Sequence, residues 1–281
     1  MRRRNQIACI LALLLAIGIL VTGCTSAGST PANAETPRTA TAVAAADADK
    51  TLLVYCGAGM KEPMEEIAHI FEEREGIKIE YTYGGAVQLL SQIEIYQTGD
   101  AYMPGALPYI QSATDKGFVD RNLSVVYHVI TIVVPKGNPA NITSLEDLAK
   151  PGVRVAIGEP AGPAIGQGTK KMLEKDGLWD AVDANAVVRT GTVNELLVYV
   201  EMDQVDAALI YEDLYNPDTM VKIEIPKEQG KIDVVPIGTL TFSKHKEDAG
   251  KFIDFVASDE ARVIFTKYGF ETYPSAKYGD A

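Results

Sequence analysis

The sequence predicts an α/β fold, and three features predict it. Short apolar runs of strand character recur along the chain, amphipathic helical spacings follow them, and glycine-rich turns join the two. Of the 281 residues 47% are apolar and 23% charged, so the chain can bury a substantial core.

The elements read in order as follows. Thr51 to Tyr55 is a short apolar strand, and Gly57-Ala58-Gly59 turns the chain. A helix begins near Lys61 with Pro63 in its first turn, where a missing N–H costs little. Met64, Ile67, Ala68 and Phe71 give it one apolar face, and Gly76 stops it. Ile77, Ile79, Tyr81 and Tyr83 alternate as a strand, and Gly84-Gly85 leads into a helix with Leu90 and Ile93 on its inner face. Tyr127 to Val134 is rich in β-branched residues and ends at Pro135. Ser144-Leu145-Glu146-Asp147 matches a capping box on a short helix. Val153 to Ile157 is a strand, and the turn from Gly158 to Pro163 opens a helix over Ala164 to Lys175. Val193, Leu196, Leu197 and Val200 mark another helix, Ala207 to Tyr211 a buried strand, and Lys246–Ala257 and Asp259–Tyr268 two closing helices.

Ahead of this body lie an address and a spacer. Arg2, Arg3 and Arg4 precede an apolar run from Ile7 to Val21, the length of a signal-peptide core and short for a spanning helix. Val21-Thr22-Gly23-Cys24 resembles a lipobox, cleaved before a cysteine that then carries lipid. The expectation is a signal peptide over 1–23, a lipid anchor at Cys24 and a flexible tether over 24–50, rich in Ala, Thr, Ser and Pro. An ordinary export signal with an incidental cysteine, or an uncleaved anchor, are the alternatives.

Charge and composition remove several classes. The formal charge is −12, and loss of the three arginines takes it to −15, opposite to a nucleic-acid-binding surface. Three cysteines exclude a disulfide-stapled scaffold, and after cleavage and acylation only Cys56 would remain as a thiol. His69, His128 and His245 show no metal-ligand spacing, and no phosphate-loop or dinucleotide fingerprint occurs. Asn122-Leu123-Ser124 and Asn141-Ile142-Thr143 fit glycosylation acceptors.

Four strand-to-helix turns carry the candidate chemistry: Cys56 to Met60, Gly84 to Val87, Gly158 to Ala164, and Gly191 to Val193. A helix N-terminus presents unpaired N–H groups and partial positive charge, and several of them at one cleft hold an anion without a cationic side chain. Singly, each is an ordinary turn of an α/β protein.

Val54-Tyr55-Cys56-Gly57-Ala58-Gly59-Met60, with the acidic helix and Gly76-Ile77-Lys78-Ile79 after it, resembles the start of the substrate-binding proteins for molybdate and tungstate uptake by ABC transporters. Tyr83 to Ile93 is similar to that family's second anion loop. Ile157-Gly158-Glu159-Pro160, Pro163-Ala164, Ala208 to Tyr211 and Ile264 to Phe270 follow in the family's order, so the resemblance spans about Thr51 to Tyr273.

The resemblance implies a type II periplasmic-binding-protein fold: two α/β lobes joined by two hinge crossovers, lobe I over 51–127 and 236–281, lobe II over 128–235. It implies a monomeric binder, not an enzyme and without a cofactor, whose ligand is the molybdate or tungstate oxyanion. Hinge closure would trap the anion at the outer face of the cytoplasmic membrane, for delivery to a permease with a cytoplasmic ATPase. Ligand contacts fall at Gly59, Ala86, Ala164, Val193 and Tyr211. Gly59 and Ala86 depart from the family, which has serines there, so two hydroxyl donors are missing unless water, Gln88, Ser91 or Thr192 replaces them. Sulfate, another oxyanion or a small carboxylate therefore stays open. Glu159 and Glu195 are candidates for carboxylate ligands to a metal centre, or else solvated helix-start acids. Lys61 stands near the first helix start and could aid an anion, or be a lone surface lysine.

Two other classes are weighed against this. An enzyme would use Cys56 near a helix start, with His69 or His128 as its base. An adhesive surface lipoprotein would need no cleft.

Overall fold

A computed structural model describes residues 50–279. The predicted signal peptide, Cys24 and nearly all of the tether lie outside the described residues. Among the described residues no helix is long and apolar enough to cross a membrane.

The first part of the chain runs β1 (Thr51–Gly57), a 3₁₀ turn (Ala58–Met60), α1 (Lys61–Glu75), β2 (Lys78–Gly84), α2 (Ala86–Tyr96), β3 (Ala101–Met103) and α3 (Leu107–Asp115). Strand β4 (Val119–Pro135) then leads to a 3₁₀ turn at Glu146–Ala149, β5 (Val155–Gly158), α4 (Ala164–Lys175), α5 (Trp179–Ala184), β6 (Ala186–Thr190), α6 (Val193–Glu201) and β7 (Ala207–Tyr211). A 3₁₀ turn at Glu212–Leu214, β8 (Met220–Ile223), β9 (Ile232–Leu240), α7 (Lys246–Val256) and α8 (Asp259–Lys267) complete it.

The strands lie in the order β2-β1-β3-β9-β4-β7-β5-β6, with β8 on the outer half of β4. Two α/β lobes share this sheet, and the antiparallel strands β4 and β9 join them. In the first lobe β1 pairs in parallel with β2 and β3. Its side chains alternate: Leu52, Val54 and Cys56 pack with α1, α7 and α8, while Tyr55 packs on the other face with Leu89, Ile93 and Ile110 of α2 and α3. In the second lobe β5 pairs in parallel with β6 and β7, against a core that includes Ile165, Leu173 and Leu196 of α4 and α6. Along β4, Val125 and Val126 belong to the first core and Ile130 to the second.

The helices expected from periodicity are present, and α1 ends at Gly76 with φ 67° in the left-handed region. On α2 it is Leu89, not Leu90, that is fully buried beside Ile93, with Leu90 partly covered. The expected capping box at Ser144 does not form. The turn there is 3₁₀, and Asp147 instead accepts from Thr143 N at 2.7 Å and Thr143 Oγ1 at 2.8 Å. The strand expected from Tyr127 begins at Val119, because β9 pairs with it over its whole first half. Pro236 in β9 stands opposite a register shift between Ser124 and Val126, where its missing N–H breaks no regular ladder bond.

Candidate functional site

Strands β1, β2, β5 and β6 each hand the chain to a helix start at their carboxyl ends. The residues before these starts are Gly57, Gly85, Pro163 and Thr192, and none makes a side-chain cap hydrogen bond. Thr192 has the chemistry of a cap, yet its hydroxyl donates to Glu195 Oε1 at 2.8 Å. The first N–H groups of the four starts are left without a side-chain acceptor, and the helix dipoles add partial positive charge.

All four starts line one cavity of about 30 Å³. A water needs roughly 10–15 Å³ on this measure, so the space suits a ligand of a few heavy atoms. Gly59 and Ala86 reach it from the first lobe, and Ala164, Val193 and Tyr211 from the second. Thus the structure brings together all five positions singled out in the sequence. Thr192 lines it too, whereas Gln88, Ser91 and Lys61 are exposed and do not.

Glu159 and Glu195, the candidate carboxylate ligands, do not line the cavity either. Both are exposed, Glu159 in the turn after β5 and Glu195 in the first turn of α6, where Thr192 donates to it. Among the described residues no group of three or more His, Cys, Asp or Glu is placed to hold a metal ion.

The lobes touch across the cleft. Asn194 Nδ2 donates to Ala58 O at 3.1 Å. A Cβ on Gly85 would stand 2.7 Å from Gly191 O, and one on Gly59 3.1 Å from Val193 Cγ1. The second contact gives a steric reason for the missing serine: a side chain at 59 requires Val193 to give way. Ala164 packs in the same cluster as Ala86 and Ala106 of the opposite lobe.

Two side-chain polar groups in the wall are buried without a partner, Tyr211 Oη and His128 Nε2. Burial pushes the Tyr211 phenol well above its usual pKa, so it stays protonated and can donate. The His128 ring stacks on Tyr211 with centroids 3.8 Å apart and planes 12° apart. In the sequence His128 reads only as a base for Cys56, and a lone histidine in an apolar strand is its one signal. Gly105, also in the wall, has none.

The activated-thiol arrangement is not formed. Cys56 is fully buried in the first core, and burial raises its thiol pKa. His69 lies exposed on α1 beside Glu73.

A family of bacterial extracellular solute-binding proteins matches residues 52–271. A Haemophilus influenzae chain named as a binding protein is 32% identical over 78% of this chain and 90% of its own length. YvgL of Bacillus subtilis, named as an ABC transporter substrate-binding lipoprotein, is 31% identical over 78% of this chain and 86% of its own. The Escherichia coli molybdate-binding protein ModA is 23% identical over 78% and 88%. Among solved structures, the sulfate-binding protein SubI of Mycobacterium tuberculosis superposes with a TM-score of 0.73 at 18% identity, over 81% of this chain and 88% of its own. The periplasmic molybdate-binding protein of Azotobacter vinelandii gives 0.67 at 15%, over 78% and 98%.

Proposed function

The chain belongs to the bacterial extracellular solute-binding proteins, and from that premise we propose that it binds a small tetrahedral oxyanion between its lobes, molybdate or tungstate first. One observation carries the reading: four helix starts without side-chain caps converge on a cavity of about 30 Å³ that no charged side chain of Asp, Glu, Lys or Arg lines. Such a site neutralises an anion with backbone N–H groups and dipoles. Gly59, Ala86, Ala164 and Val193 offer backbone donors, and Tyr211 offers its phenol. The net charge of −12 is no obstacle, because donors within a closed cleft act at contact and distant charges are screened beyond about 8 Å. The relatives named for molybdate and sulfate support the ligand class without separating its members.

Closure is the working step. Lobe I comprises 51–127 and 236–281 and lobe II 128–235, with the hinge at Tyr127–Ile130 and Pro236–Gly238. The anion bridges both lobes, so it stabilises the closed form by its differential affinity for that form. The protein is an exported monomer anchored through Cys24, and it hands its ligand to a permease driven by a cytoplasmic ATPase. A bacterial relative named as a lipoprotein supports the anchor.

Calorimetric titration with molybdate, tungstate, sulfate and phosphate tests the reading. Tight binding of the first two with weak sulfate is expected. Tight sulfate with weak molybdate would move the assignment to sulfate, and no heat from any of the four would overturn the oxyanion reading.

A further inference from the structure

The wall of the cavity offers donors, with one exception. His128 is 1% exposed, and its Nδ1 lies 3.0 Å from Gly105 O. A carbonyl oxygen only accepts, so Nδ1 carries the ring hydrogen and the neutral imidazole leaves Nε2 as a bare lone pair. The ring is held in place between Tyr211 and Phe270, whose centroid is 5.8 Å away. Nε2 is buried and partnerless in a ring that lines the cavity. The oxygens of a fully ionised oxyanion are acceptors as well, and two lone pairs in contact repel.

Resting on the oxyanion reading above, we propose that the closed complex holds one proton between His128 Nε2 and an oxygen of the bound anion. An anion that carries its own hydrogen, such as hydrogen phosphate, donates it to Nε2 and exchanges none with solvent. A fully ionised anion, such as molybdate or sulfate, binds with one proton taken from the buffer acid, which leaves His128 as imidazolium with Nε2–H donating to the anion. His128 is thereby a specificity residue for the protonation state of the ligand.

The surroundings of His128 support this and name the competitor. On β9, Asp233 stands opposite His128 in register and is paired with Lys231 at 2.6 Å. From β7 comes Tyr211, from α3 Tyr109, both phenols raised by burial. Asp213, just past β7, is half-buried, with its Oδ2 buried and unpartnered and its carboxyl raised by burial. In the free protein, burial pulls His128 down to about 4, against the smaller upward effect of the Gly105 bond. An anion in the cavity raises it. Affinity for a fully ionised anion therefore falls with rising pH, by about tenfold per unit, between the free and the bound values. Asp213 is the other group on which closure could place a proton.

The test is titration in two buffers of different ionisation enthalpy, from pH 6 to 8, with molybdate, sulfate and phosphate. About one proton taken up per molybdate or sulfate is expected, none per hydrogen phosphate at pH 8, and a tenfold fall in affinity per pH unit for the first two. His128→Phe, which keeps a stacking ring, should abolish the uptake and flatten the slope, while Asp213→Asn should keep both. Equal heats in both buffers with pH-independent affinity in the unmodified protein would overturn the proposal, and that measurement needs no variant to fold. So would loss of uptake in Asp213→Asn with retention in His128→Phe. Absence of binding by every anion would instead sink the oxyanion reading and this proposal with it.

Discussion

The two faces of the cleft are built from different materials. The first lobe brings Gly59, Gly85, Ala86 and Gly105, which have no polar side-chain atom. The second lobe brings backbone as well, at Ala164 and Val193, and adds the ring of Tyr211; His128 stands stacked on it from the crossover. Small residues on one side let the other approach to contact, so the first face sets how far the cleft closes. The second face sets what the closed cleft can recognise. Variants on the two faces should fail in different ways.

The largest effect is expected from Gly85→Ala. Gly85 has φ −73° and ψ 147°, which alanine adopts freely, so the free protein should keep its melting temperature or gain slightly. Its new Cβ would meet the Gly191 carbonyl of the opposite lobe at 2.7 Å, and a backbone atom yields only if the lobes part. Losing closure removes the second lobe's contacts from the anion, and a weakening of more than a hundredfold is expected, about 3 kcal/mol. Calorimetry with a parallel melting curve checks it. Unchanged affinity would mean that the contact seen here is not part of the bound state.

How much of this was legible beforehand depends on residue type. Helices α1, α4, α6, α7 and α8 announced themselves through spacing and stops, and the four glycine or proline turns before helix starts pointed to the anion-binding face. The backbone donors could be placed because a helix start is a local feature. Strand β3 is three residues long and wholly buried, so it has no alternation to detect. In β9 the pair Pro236 and Gly238 reads as a break, and only the bulge on β4 makes the proline acceptable. The pairing of His128 with Tyr211 joins β4 to β7, residues distant in sequence, through a strand register that no local pattern encodes. Contacts across the cleft, such as Gly85 with Gly191, are equally non-local.

On the second face, Tyr211→Phe should separate binding from folding. The hydroxyl is buried and has no partner in the protein, so its removal relieves an unsatisfied group and should leave the free protein's melting temperature unchanged or higher. The phenyl ring still stacks on His128. With the anion present, one hydrogen bond to a charged partner is lost, about 1.5–3 kcal/mol, or a tenfold to hundredfold weaker affinity. An affinity equal to the unmodified protein's would take Tyr211 out of the site. A fall in stability without ligand would show that the phenol has a structural partner.

The smallest effect should come from a hydrogen bond that crosses the cleft from Asn194, a side chain outside the cavity wall. Asn194 Nδ2 donates to Ala58 O, while its own Oδ1 is buried and unpaired. Asn194→Ala removes a bond worth about 0.5–1.5 kcal/mol and also removes an unsatisfied acceptor whose burial costs about 1–3 kcal/mol, so the two terms oppose each other in the closed form. Affinity should change by less than about fivefold in either direction, and titration beside the unmodified protein measures it. If the variant instead matched Gly85→Ala in its loss, the latch across the rim, and not the fit of small residues, would be what holds the lobes together. The division of labour between the faces would then have to be redrawn around Asn194.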